Sequence, residues 1–176
     1  MRTETLSANL NLVVGTMSRL QLLQSLNHED VGLNPSAETL LDNPIFDEIK
    51  PQTIAVTERT VGELGLPTGA PLPQILQAAQ QQGLHLCPPT TGPYLRLAWL
   101  SQPNAPDTVM SNGRAPSGSV TVAAAPLSQD AAYPKGFYLR VIDRRLWLRG
   151  FRCDDLHPWS PDDRFVFTMA TPSTAR

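Results

Sequence analysis

The chain has 176 residues, 41% of them hydrophobic and 17% charged, with a formal net charge of −2. A single domain of that length buries roughly 70% of the surface its unfolded chain exposes, so it needs no disulfide or metal to fold. The balanced charge argues against a nucleic-acid partner, which calls for a strongly basic domain, and two cysteines do not make a secreted disulfide framework.

In chain order, the opening "MRTETLSANLNLVV" carries Glu4 where a leader peptide needs basic residues, and Asn9 and Asn11 interrupt its apolar run. No apolar stretch reaches the ~18 residues of a membrane span. The expectation is a cytoplasmic protein with no membrane partner. Residues 17–26 place Met17, Leu20, Leu23 and Leu26 on one stripe at helical spacing. Gly32 and Pro35 read as stop signals, and residues 36–44 offer a short second helix with Ser36 as N-cap, Leu40 and Leu41 inward and Pro44 at its end. Residues 1–50 are thus expected as a helical N-terminal arm, which either pads the domain or docks a partner or a second copy.

The pattern changes at residue 50. In "QTIAVTERT" Ile54 and Val56 alternate with polar residues, as in a half-buried strand, and "TVGE" has the form of a capping box between Thr60 and Glu63. Residues 71–82 make an amphipathic helix: Leu72, Ile75, Leu76 and Ala79 form one stripe, and Gly83 suits a left-handed C-terminal cap. Residues 84–87 and 94–100 both alternate and read as strands, with Leu95, Leu97 and Trp99 on one face of the second. Residues 101–117 read as a long mobile loop. A small-residue strand follows near residues 119–123, then a hairpin turning at Asp143 and Arg144, then a last strand at residues 164–170. Together these predict an α+β fold: a small, mostly antiparallel sheet of six or seven short strands with one amphipathic helix, preceded by the helical arm. Residues 51–171 form the α+β domain and residues 172–176 a frayed tail.

The order "GLHLCP … GPYLRL … LWL … W … RFVF", carried by residues 83–88, 92–97, 146–148, Trp159 and 164–167, resembles a family of uncharacterised bacterial proteins. The likeness spans residues 58–167 and departs at 101–135, where this chain carries a longer insertion rich in Pro and Ala. It implies a shared domain architecture and no particular activity.

Three groups of residues have chemical potential. His85 and Cys87, two apart on a strand, share a face, and with Cys153 and His157 they supply a Cys2His2 set of the type zinc takes. The spacing matches no common zinc knuckle, so the expectation is no metal and no cofactor. Asp154, Asp155 and His157 lie in an acidic stretch that also has ordinary turn chemistry. The hairpin supplies the third group. Tyr138 and Arg140 share one face of its first strand, and Arg145, Trp147, Arg149 and Phe151 share one face of its second. If they align, the sheet presents an Arg- and aromatic-rich surface. The function expected is a non-catalytic binding or protein-interaction module that uses this face and the 101–117 loop, with self-association as one form of partnership. The alternative is a small enzyme or metal-binding protein with its site near Cys87, Asp154, Asp155 and His157.

Overall fold

A computed structural model describes residues 10–109 and 115–169. The tail expected at 172–176, the leader reading of residues 1–9 and the middle of the 101–117 loop lie outside the described residues. In chain order the elements are β1 (Leu10–Val14), α1 (Arg19–His28), β2 (Gly32–Leu33), α2 (Pro35–Leu41), β3 (Gln52–Thr60), β4 (Ala70–Pro71) and α3 (Leu72–Gln81). Then follow β5 (Leu84–His85), α4 (Thr91–Ala98), β6 (Val120–Val122), β7 (Gly136–Ile142), β8 (Arg145–Phe151), β9 (Pro158–Trp159) and β10 (Arg164–Met169). The main sheet runs β1-β3-β10-β6-β7-β8-β2, with β5 paired to β10, while β4 and β9 form a separate two-stranded sheet.

This architecture overturns the expected one on three counts. The sheet is mixed, because β6 pairs β10 in parallel and β2 pairs β8 in parallel. The helical arm is not an arm: Leu10, Leu12 and Val14 alternate along β1, which pairs antiparallel to β3 from Leu10↔Val56 to Val14↔Gln52. Leu22 and Leu26 of α1 and Leu40 and Leu41 of α2 lie in one core with Val56, Leu148 and Val166. The third count is the helices: four among the described residues, where one was expected besides the short helices of the arm.

The fourth helix replaces an expected strand. Residues 91–98 are helical, and Thr91, Gly92 and Pro93 occupy the first turn, where a proline forfeits no hydrogen bond. A strand would have set Leu95 against Arg96 on opposite faces, yet both are fully buried while Leu97 is only partly so. The short alternation "LRLAW" fits both periods, and tertiary packing decided between them.

Two helix starts also differ from expectation. Ser18 and Gln21 form a capping box that begins α1, and the Tyr94 hydroxyl accepts from the Met17 amide at 3.1 Å. That entry turns Leu22 and Leu26 inward and leaves Leu20 66% exposed. For α2 the cap is Asn34, not Ser36, and Pro35 opens the helix instead of stopping one. The Asn34 side-chain amide does double duty. Its oxygen accepts from Ala37 N and Gly150 N, both at 2.8 Å, and its nitrogen donates to Gly150 O at 3.0 Å, closing the edge of β8 where β2 ends.

Elsewhere local signals and structure agree. Residues 52–60 form β3 with Ile54 and Val56 buried, the Thr60–Glu63 capping box is made in both directions at 3.0 Å, and α3 buries Ile75 and Ala79. The sheet is covered on both faces. On one, α1, α2 and α4 pack over Leu12, Val56, Val122, Leu139 and Leu148. On the other, α3, Val61, Leu64 and the β4–β9 pair cover Phe165 and Phe167, but only at the β10 end. The same face of β7 and β8 is left to other groups.

The packing of α4 gives a test. A Cβ at Gly92 would lie 2.6 Å from the buried Phe137 ring, whereas one at Gly83 meets nothing and only the left-handed φ of +81° opposes it. Gly92→Ala should cost about 1–3 kcal/mol by overpacking, and Gly83→Ala about 1–2 kcal/mol by conformation alone. Urea midpoints with unchanged m-values check both, and a neutral Gly92→Ala would contradict the close seating of α4 on β7.

Candidate functional site

The hairpin is closed by Asp143 (φ +50°) and Arg144 (φ +66°), a two-residue turn whose positive φ values match the twist of the flanking strands. The register pairs Tyr138 with Arg149 and Arg140 with Trp147, which places Tyr138, Arg140, Arg145, Trp147, Arg149 and Phe151 on one face of the sheet. Their surroundings then separate them.

Arg140 is fully buried under the 101–119 segment. It donates to Ser117 O at 2.9 Å, to the Asp107 carbonyl and carboxylate at 3.0 Å each, and to Val109 O. On the opposite side of the sheet Arg96, also fully buried, donates to Gln102 Oε1 (2.7 Å), Trp99 O (2.5 Å) and Trp147 O (3.3 Å). Gln102 in turn donates to Leu139 O and Gly118 O. Between these two anchors the chain rounds the sheet edge, with Ala105 N donating to Val141 O at 2.7 Å and Asn104 accepting from Arg144 N at 2.8 Å. The described part of the expected mobile loop is therefore a strap fastened on both faces.

The strap leaves a cleft of about 380 Å³ beside it on the Arg140 face. Thr121, Tyr138, Arg149 and Phe151 line it from the sheet, Ala115 and Pro116 from the strap, and Cys153, His157 and Trp159 from the chain after β8. Arg149 is half-buried and oriented by neutral groups. Its Nε donates to the Tyr138 hydroxyl at 2.7 Å, and its guanidinium carbon lies 5.9 Å from the Tyr138 ring centre and 5.3 Å from that of Trp147. These are cation–π distances. Arg145 covers the same Trp147 ring at 5.0 Å and pairs weakly with Asp30 at 3.5 Å. The Trp147 ring itself rests on Gly32, where a Cβ would lie 2.6 Å from it. At the far wall Trp159 meets Phe151, His157 and Phe165 edge-on, and its buried indole N–H has no acceptor.

The metal and enzyme candidates do not assemble. Among the described residues no group of three or more His, Cys, Asp or Glu is placed to hold a metal ion, so His85, Cys87, Cys153 and His157 do not converge. The shared face expected for His85 and Cys87 is lost because β5 ends at His85: the histidine is exposed, the cysteine buried. Burial pushes the Cys87 thiol up to about 12, and it lies 3.5 Å from Val166 O as a donor, the state of a structural cysteine. Cys153 lines the cleft half-buried. Burial raises its thiol, Lys135 opposes that rise, and Asp154 and Asp155 add to it. Asp154 accepts from the Leu156 amide in a local turn, and Asp155 pairs with Lys135 at 3.1 Å. No described helix is long and apolar enough to cross a membrane.

Sequence reasoning missed Arg96, Gln102, Asn34 and the wall formed by Trp159. For Asn34 the signal was present, since Asn before Pro is an ordinary helix opening. For Arg96 and Gln102 no local pattern distinguishes a buried polar group from an exposed one. No family model, no curated protein and no solved structure matches the chain.

Two outcomes test this geometry. The Ser117 hydroxyl at 2.6 Å, the Val109 amide and Arg140 together hold the Asp107 carboxyl below the usual carboxylate range. A carboxyl lowered in the folded state adds stability above its unfolded value, about 3.9, and loses it as pH falls through the folded one. Asp107→Asn should therefore speed amide exchange at Val109 and Ser119 at neutral pH, and its difference from wild type should shrink in acid. Separately, a thiol reagent on native protein should leave Cys87 unmodified until unfolding. Equal modification of both cysteines would place Cys87 outside the core.

Proposed function

We propose that the protein is a non-catalytic binding module that receives a partner protein on the open face of the β7–β8 hairpin. Arg145, Trp147 and Arg149 form the contact ridge, and Tyr138 and Phe151 continue it into the cleft. Arg140 serves this surface by fastening the strap at its border. The observation that carries the reading is Arg149: it is half-buried, held against two aromatic rings and a phenol, and no carboxylate pairs with it among the described residues. Arginine and aromatic side chains in that arrangement are the groups that dominate binding energy at protein interfaces, because they combine large contact area with directed hydrogen bonds. The resemblance to the bacterial family is part of the same proposal and adds no activity to it.

The test uses the full chain, immobilised and challenged with a random peptide library. Wild type should enrich a consensus, and Arg145→Glu with Arg149→Glu should abolish that enrichment with the melting temperature kept. Light scattering of both proteins reads whether a second copy is the partner. Enrichment by the double variant equal to wild type would remove the hairpin face from the function.

A further inference from the structure

The cleft beside Arg149 has a composition that selects one ligand chemistry. The chain carries 16 acidic residues, yet among the described residues no aspartate or glutamate lines this cavity. The charged groups of the described lining are Arg149 and Arg152, so the local surface has the opposite sign to the chain as a whole. Of the two arginines, Arg152 is exposed at the rim and Arg149 is partly withdrawn from water. Withdrawing a cation without a counter-charge costs free energy, and a bound anion recovers it.

The geometry of Arg149 narrows the anion. Its Nε is committed to the Tyr138 hydroxyl at 2.7 Å, and Trp147 and Tyr138 restrict the guanidinium plane. The remaining donors are on the two Nη atoms, which present a planar fork of the kind that grips a carboxylate with two parallel hydrogen bonds. A phosphate dianion would call for several converging cations, whereas Arg152 is exposed at the rim and no lysine is among the described lining residues. The rest of the lining joins an apolar and aromatic part, Phe151, Trp159, Ala115 and Pro116, to small polar groups, Ser36, Ser119 and Thr121. The volume, about 380 Å³, falls in the range of small-ligand sites.

We infer that the cleft binds a monocarboxylate carried on a flat or apolar body, with Arg149 as its anchor and Tyr138 as the residue that positions Arg149. The inference deepens the binding-module reading, since it rests on the same face and names what the occupant presents there. Two sources supply this chemistry, a free organic acid and the terminal carboxylate of a polypeptide.

The experiment is a titration of the ¹⁵N-labelled full chain, followed by amide shifts, with 3-phenylpropionate and its neutral amide. A second pair is an acetylated peptide ending in phenylalanine, as free acid and as amide. The acids should shift Thr121, Tyr138, Arg149 and Cys153, and the amides should bind about tenfold more weakly or worse, the loss expected when a charged fork has no carboxylate to hold. Arg149→Gln should remove the preference for the acids. Arg149→Lys, which keeps charge and loses the fork, should bind in between, and Tyr138→Phe should weaken acids while leaving amides unchanged. Binding of the peptide acid assigns the site to a chain terminus; binding of phenylpropionate alone assigns it to a free acid. Equal binding of acid and amide, no binding of either, or wild-type binding by a folded Arg149→Gln overturns the inference. Should that happen while the double glutamate variant still loses its peptide consensus, the binding-module reading survives and only the carboxylate specificity falls.

Discussion

The fully buried cation of Arg96 constrains the rest of the molecule. Among the described residues no carboxylate pairs with it. Its charge is held by oxygen dipoles: the Trp99 carbonyl at the end of its own helix, the Trp147 and Arg140 carbonyls of the hairpin, and the Gln102 side chain. Desolvation pulls its guanidinium down to about 10, so it is still charged at neutral pH. A buried charge is tolerated only where its hydrogen-bonding partners are fixed in position, and these partners belong to α4, to both hairpin strands and to the first residues of the strap. One side chain thereby sets where the helix sits, where the hairpin lies beneath it, and where the chain leaves for the other face. Its place in the last turn of α4 also suits the negative end of the helix dipole.

From that fixed exit the strap reaches the opposite face, and Arg140 receives it. Arg140 and Arg149 lie on the same sheet face, and the strap gives them opposite fates. One is enclosed by backbone and side-chain oxygens and serves as a rivet; the other, two register pairs along, has its Nε on the Tyr138 hydroxyl and no carboxylate partner among the described residues. Trp147 lies between these roles, backed by Gly32 and flanked by Arg145 and Arg149. The cleft is the gap between the strap and the Trp159 cluster, so its shape depends on two buried arginines that do not both face it.

Strand parity and turn chemistry were legible in the sequence because both are local: β3, α3, the Thr60–Glu63 box and the hairpin turn follow from spacing alone. So did the shared face of the six hairpin residues. What spacing could not provide was which of them would be covered, because the cover comes from Asp107, Val109 and Ser117, distant in sequence and in a stretch without periodicity. The same limit explains α4. Its eight residues carry alternation suited to a strand, and the deciding contacts, Gly92 on Phe137 and Arg96 on Trp147, are long-range. β1 was lost differently, since its alternating Leu10, Leu12 and Val14 were weighed against a leader peptide and not against an edge strand. Segments far apart in sequence meet in space: Gly92 and Arg96 of α4 meet the hairpin at Phe137 and Trp147, and Trp159 abuts Phe165.

The position of β10 has a consequence for how the molecule comes into being. It is the last strand in the described chain, yet it lies near the middle of the sheet, antiparallel to β3 on one side and parallel to β6 on the other. Until it emerges from the ribosome, β1 and β3 form only a two-stranded ribbon, which is marginal in water. β6, β7, β8 and β2 form a separate four-stranded piece, and each exposes an unsatisfied edge toward the gap. High contact order of this kind slows folding and prolongs the exposure of sticky edges. The nascent chain is thus most vulnerable just before residues 164–169 emerge, and a break upstream of residue 164 removes the sheet's keystone, not its margin.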